Sequence, residues 1–147
     1  MKTILLAIDF SDLAAQMIDN AQEMALALKA NIWIVHVADP NPFFLEQNIE
    51  PPVLREQHEM EMSREQQELN AMVLYFGKYG IEAHAALLFG IPVASILEKA
   101  NEIKADLIII GKENHGFFYK ALLGSTSEGV IKKAKCPVLV VPLHEED

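Results

Sequence analysis

Three short runs of uninterrupted apolar residues, ILLAI at 4–8, LIII at 107–110 and VLVV at 138–141, constrain the fold of this chain more than any other feature. A strand that is apolar at every position is covered on both faces, as in a parallel sheet flanked by helices. A strand with one wet face alternates apolar and polar residues instead. The runs are far shorter than the roughly 20 residues that cross a bilayer, so no membrane insertion is expected. Parallel strands need crossover connections, and the stretches between the runs have the pattern of crossover helices.

After the first strand, TILLAID at 3–9, the residues Ala14, Met17, Ile18, Ala21, Met24, Ala25 and Leu28 recur at three- and four-residue intervals and form one apolar stripe. Ser11 is placed to cap that helix. NIWIVHV at 31–37 is a second strand, and ADPNPFFLEQNIEPPV after it, with four prolines and no helical period, reads as a long loop. A Glu- and Gln-rich helix follows over 54–79, with Met62, Leu69, Met72, Val73 and Phe76 on one face and a stop near Gly80. IEAHAALLF at 81–89 is the third strand. Residues 92–104 form a helix with Val93, Ile96, Leu97 and Ala100 inward, and ADLIIIG at 105–111 is the fourth strand. A short helix over 125–134 and CPVLVVP at 136–142 complete the chain. Alternation of this kind predicts an α/β fold: a doubly wound, five-stranded parallel sheet with helices on both faces, Rossmann-like. With 147 residues, 51% of them apolar, residues 1–147 are expected to form a single domain.

Ligands of doubly wound sheets bind beyond the C-terminal strand ends, where the strand order reverses. The tips near Asp9, Val37 and Gly111 are therefore the places to search. Gly111 is expected to end the fourth strand, where a missing side chain lets a ligand or another segment approach. Gly124 precedes Ser125, Thr126 and Ser127, which form the cap and first turn of a helix whose free N–H groups and hydroxyls suit a phosphate. Turn glycines and a self-capping serine explain the same residues, and local features alone favour that plainer reading. GKENHGFFYKALLGSTSEG holds no Gly-Lys-Ser/Thr and does not fit the dinucleotide fingerprint, so kinase-like and dehydrogenase chemistry lose support.

Taken together, Gly111, Asn114, Gly124 and Ser125, spaced as G-x2-N-x9-G-S and followed by a short helix and KCPVLVVP, resemble the ATP-binding signature of the universal stress protein family, G-x2-G-x9-G-[ST]. ILLAIDFSDLA and GIPVASILEKANEIKADLIIIG extend the resemblance along the whole chain. It implies an adenine-nucleotide alpha-hydrolase-like fold that binds ATP or AMP, with or without Mg2+, in the crevice between strands one and four. On that reading Ala7, Ile8 and Asp9 line the adenosine pocket, with Asp9 near the ribose or a metal-bound phosphate, and Val37 offers its backbone to the adenine edge; Asp9 suits an N-terminal helix cap equally well, and the two roles can coexist. Ile110, Gly111, Asn114, Gly124, Ser125 and Thr126 contact ribose and phosphates. The resemblance also implies a cytoplasmic stress-response regulator that pairs with a second copy through residues 138–141 and associates with a protein partner the sequence does not name. Asn114 stands where the family pattern has its second glycine; asparagine is the residue that best tolerates a left-handed backbone in glycine's place. His115, Phe117, Phe118 and Tyr119 make the loop bulkier than the small basic loops of ATP-binding members. A dimeric protein of the same fold that binds no nucleotide, and a slow ATP hydrolase or adenylyl-transferring relative, are the alternatives.

The formal charge of −9 disfavours nonspecific attachment to nucleic acid or anionic lipid. Asp9 and Asp12 interrupt the only candidate signal peptide, so a cytoplasmic location is expected. The single cysteine, Cys136, forms no internal disulfide and builds no thiolate metal site by itself, and reads as a half-buried structural thiol. HEMEM at 58–62 lacks the second histidine of a zinc-protease motif, since position 62 is Met62. His36 and His84 fall within strands and read as packed or edge histidines. His115 lies near the expected phosphates but suits a solvent-facing loop as well. A phospho-receiver domain needs an aspartate at the tip of strand three, which here is LLFG at 87–90. No nucleophile, base and orienting group are brought together, so an enzymatic role has weak support.

Overall fold

The computed structural model describes residues 2–10, 14–38, 51–114 and 125–144. In chain order the elements are β1 (Lys2–Ala7), α1 (Ala14–Leu28), β2 (Ala30–Ala38), α2 (Pro52–Gly77), β3 (Ala83–Phe89), α3 (Pro92–Ile103), β4 (Leu107–Asn114), α4 (Ser125–Lys133) and β5 (Val138–His144). The five strands form one sheet in the order β3-β2-β1-β4-β5, and every neighbouring pair is parallel.

The alternation of side chains along each strand divides the core in two. Ile4 and Leu6 of the first strand, with Ile8 just past it, face α1 and α2, where Ile32, Ile34, Ile109, Met17, Ala21, Ala25, Leu69 and Phe76 are buried with them. Leu5 points the other way and packs with Val35, Ile108, Ile110, Ile96, Ala100 and Val130 under α3 and α4. Helices on both faces are why the central strands read apolar at every position. Of the α1 stripe, Met17, Ala21 and Ala25 are buried, Ile18 and Met24 pack partly buried beside them, Ala14 is half-buried, and Leu28, at the helix end, is exposed. In α2, Leu69 and Phe76 are fully buried, with Met72 and Val73 packed beside them. The α2 helix gives way near Gly80, whose φ of 75° is a left-handed conformation that glycine takes without strain.

Several boundaries differ from the sequence expectation. The α2 helix begins at Pro52, inside the stretch expected to be loop, because proline's fixed φ suits the first helical turn and its missing N–H is not needed there. The β1 strand stops at Ala7, so Asp9 lies just past it. The largest correction concerns Gly111, which does not end β4. The strand runs on to Asn114, because β5 continues beside it in register, Gly111 opposite Val141 and Asn114 opposite His144. Asn114 is thus a strand residue, not a left-handed turn residue; among the described non-glycine residues only Lys29 and Lys104 have positive φ. The proposed cap Ser11, residues 39–50 of the proline-containing loop, and the glycine-loop residues 115–124, Gly124 and His115 included, lie outside the described residues.

Candidate functional site

Strand β1 sits at the centre of the sheet with β2 on one side and β4 on the other, so the strand order reverses at β1. Its ladder with β4 has only three residue pairs and ends at Leu6 opposite Ile109. The β1–β2 ladder continues to Ala7 opposite Val35, and Ile8 adds an N–H bond to the Val35 carbonyl at 2.9 Å. The β4–β5 ladder continues for seven pairs, to Asn114. Beyond Leu6 and Ile109, therefore, β1 stays with β2 while β4 stays with β5, and the sheet splits. The crevice so formed has Ala7, Ile8 and Asp9 on one wall and Ile110 and Gly111 on the other.

Gly111 is a glycine for a reason of packing. A Cβ there would lie 2.7 Å from Cδ1 of Leu143 and 3.0 Å from Sδ of Met17, so β5 and α1 fill the space a side chain would take. The segment that approaches Gly111 on that side is the protein itself. Its carbonyl accepts a hydrogen bond from Oγ of Ser127 at 2.9 Å, and Ser127 is buried. The expectation that Ser127 offers its hydroxyl outward is corrected: the side chain turns inward and ties the first turn of α4 to β4. The helix starts at Ser125, with Thr126 half-buried beside it, so the free N–H groups of its first turn begin next to the Gly111 wall.

On the other wall the structure adds residues that the sequence reading did not assign to the site. Nδ1 of His36 lies 2.8 Å from the Ile8 carbonyl, and since a carbonyl only accepts, that nitrogen carries the proton. The imidazole rests against Phe10 at 4.4 Å between ring centroids. Its other nitrogen lies 3.8 Å from Oε2 of Glu65, which α2 carries into the buried layer. His36 is a packed histidine, as expected, but one that braces the backbone just before Asp9. The signal for Glu65 was available: it falls four residues before Leu69, a carboxylate on an otherwise apolar stripe. His84 is an edge histidine stacked on Trp33, whose ring also carries the ammonium of Lys99 at 4.4 Å. Val37 is half-buried in β2 opposite Leu88, two strands from the Gly111 wall. Among the described residues no group of three or more His, Cys, Asp or Glu could hold a metal ion, and no helix is long and apolar enough to cross a membrane.

Strand order, parallel pairing and two-sided helical cover define the class of protein as a doubly wound, Rossmann-like α/β fold. Comparison narrows it. The sequence model of the universal stress protein family matches residues 1–142, and the chain belongs to that family. A universal stress protein of Thermus aquaticus is 37% identical over 142 residues, covering 95% of this chain and 98% of the relative. The structure of a universal stress protein from Archaeoglobus fulgidus superposes with a TM-score of 0.75 at 24% identity, covering 96% of this chain and 98% of that one. A universal stress protein of the same organism in complex with dAMP has a TM-score of 0.68 at 24% identity, with the same coverage. At that identity the two structures establish a shared fold.

Proposed function

We propose that this universal stress protein binds an adenine nucleotide, ATP or AMP, in the crevice between β1 and β4, and acts as a single-domain, homodimeric regulator of the cytoplasmic stress response. The observation that carries the reading is the split of the sheet after Leu6 and Ile109, with the start of α4 held against one wall by the Ser127 bond. In this arrangement Ala7, Ile8 and Asp9 receive the adenosine, Val37 the adenine edge, and Ile110, Gly111, Asn114, Gly124, Ser125 and Thr126 the ribose and phosphates. Mg2+, where it accompanies ATP, is held by the phosphates with Asp9 near by. The dAMP found on the same fold in Archaeoglobus fulgidus supports the ligand class. The homodimer forms through β5, the outermost strand on its side of the sheet, since an apolar edge is paired or covered. Equilibrium dialysis against ATP and AMP at millimolar concentration, with and without Mg2+, tests the binding; no retention of either sinks it.

One observation favours a second reading, a dimeric protein of this fold that takes no nucleotide. The strand continues through Asn114, so main-chain groups of residues 111–114 serve the ladder with β5 and fewer are left for phosphate. Asn114→Gly separates the two: binding that appears only in the variant supports the second reading, and equal binding in both proteins supports the first.

A further inference from the structure

At the opposite end of the strands, below the starts of β4 and β5, a cavity of about 230 Å3 opens between α3 and α4. Its floor is apolar, with half-buried Leu97 and Ala105 above the fully buried Ile108, and Lys104, Lys133, Lys135 and Asn101 also line it. Three lysines lining one cavity are a concentration of positive charge in a chain of net charge −9 with 12 Lys and Arg in all. Among the described residues none of the three is in an ion pair, whereas Lys99 and Lys132 are matched by Glu102 and Glu128.

Lysines near helix C-termini have a structural use, and two helices, α3 and α4, end here. Magnitudes decide whether that use exhausts them. Each helix C-terminus carries about half a negative charge, so the two together contribute roughly −1. Asp106, whose carboxylate accepts the Thr3 N–H at 2.8 Å, contributes one more. Against three ammonium groups this leaves about one positive charge uncompensated at the rim. Part of the demand at the helix ends is already met by backbone donors: Lys104 N–H to the Asn101 carbonyl, Ala105 N–H to that of Ala100, and Ala134 N–H to that of Val130.

We infer that this cavity is a second ligand site, for a small organic anion with an apolar body and one oxyanion head, a phosphate monoester or a carboxylate. The body lies on Leu97 and Ala105; the head is held by the lysines and the Asn101 amide. The volume is below the roughly 300 Å3 at which pockets for drug-sized ligands begin, so the ligand is smaller than a nucleotide. The site shares no residue with the β1–β4 crevice and stands or falls independently of nucleotide binding.

The protein carries its own reporter, because Cys136, the only cysteine, lines the cavity. Burial, reinforced by the Asp106 carboxylate, pushes its thiol up from the ordinary value. Alkylation by iodoacetamide at fixed mildly alkaline pH is therefore slow and sensitive to cover. The experiment compares alkylation rates of the full chain alone, with phenyl phosphate, with benzoate, and with neutral benzyl alcohol. For a dissociation constant on the order of 1 mM, about 5 mM phenyl phosphate slows the reaction about sixfold, and benzyl alcohol does not. Equal slowing by benzoate assigns both oxyanion heads, and none by benzoate assigns the phosphate monoester. In the Lys104→Gln/Lys135→Gln variant, both positions being exposed, the ratio of rates with and without phenyl phosphate returns towards one. Rates unchanged by both anions, slowed as much by benzyl alcohol, or slowed as much in the double variant overturn the proposal.

Discussion

The two faces of the sheet are built from similar aliphatic side chains but open at opposite ends. Under α1 and α2 the layer contains a histidine and a carboxylate, His36 and Glu65, at the end where β1 leaves the sheet. Under α3 and α4 the core cluster is aliphatic; the one buried polar side chain described there is Ser127, bonded to the Gly111 carbonyl, and further polar groups line the cavity at the other end. Apolar burial holds both faces together. The difference shows where something besides stability shapes the structure, since a buried polar pair often contributes no more than a well-packed apolar pair of similar volume.

The largest contrast between the faces is in packing. Phe76 is fully buried on the first face and Val130 on the second. Phe76→Ala is expected to lower unfolding stability by about 3–5 kcal/mol. Val130→Ala removes two methyl groups, so its transfer term alone is about 1.6 kcal/mol, to which any cavity adds. Urea titrations of both variants check this. Equal losses would show that α2 is less firmly seated than its buried side chains indicate.

The next effect isolates the polar pair. With side chains only 15% and 10% exposed, His36→Leu and Glu65→Leu each leave a buried polar partner behind and are expected to cost about 2–3 kcal/mol. The double variant replaces both and should cost less than the sum, a coupling that a double-mutant cycle measures directly. Strict additivity would mean that the 3.8 Å approach carries no energy. If the pair braces the backbone before Asp9, the double variant also weakens the proposed nucleotide binding by more than its remaining loss of stability accounts for.

Two glycines give the third comparison, of about 1–3 kcal/mol. A Cβ at Gly111 meets Leu143 and Met17 inside the buried layer of the first face. One at Gly129 meets Cγ2 of Val93 at 2.7 Å, between α3 and α4. Gly111→Ala gains about 0.5–1 kcal/mol of backbone entropy in the strand but must displace two side chains of the buried layer, Leu143 and Met17. Gly129→Ala gains about 1 kcal/mol of helix propensity, so despite the stiffness of a β-branched neighbour it should be the milder change. Thermal melts of the two variants rank them, and the reverse ranking would show that Leu143 and Met17 yield more easily than the packed helices.

What could be read from the sequence, and what could not, follows from how local each feature is. The strands around ILLAI, LIII and VLVV, the stripes of α1, α2 and α3, and the outer position of β5 were legible because residue spacing expresses burial directly. Where β4 stops was not, since its extension to Asn114 depends on β5, a segment that joins the sheet only at the end of the chain. The reason for Gly111 was hidden for the same cause: its neighbour Leu143 comes from β5. Pro52 was misjudged because a proline within a proline-containing stretch looks like loop until the helix behind it is seen. Of the candidate site, the place beside the strand order's reversal was anticipated as the place to search, and β1 and β4 are neighbours there, but the inward turn of Ser127 and the bracing by His36 are long-range contacts with no local signature.

The smallest expected effect again sets face against face, now through alkaline pH. On the second face, burial first and Asp106 second raise the Cys136 thiol above its ordinary value of 9.0. On the first, a hydrogen bond with Tyr79 leads the causes that raise Tyr75 above 10.0, and its hydroxyl also donates to Oε1 of Gln22 at 2.9 Å. Both groups hold their protons more tightly in the folded chain. Below the unfolded value of each group, the folded and unfolded states are equally protonated, so its full contribution to stability is present there. As pH rises through that value the unfolded chain releases its proton first, and stability falls until the folded group also ionises. The loss due to Cys136 therefore begins near pH 9 and that due to Tyr75 about one unit higher. Cys136→Ala should flatten the lower part of the alkaline decline and Tyr75→Phe the upper part, as measured by urea midpoints across that range. A decline unchanged by Cys136→Ala would mean that the thiol is as well solvated in the folded protein as in the unfolded chain, which its position in the cavity wall argues against.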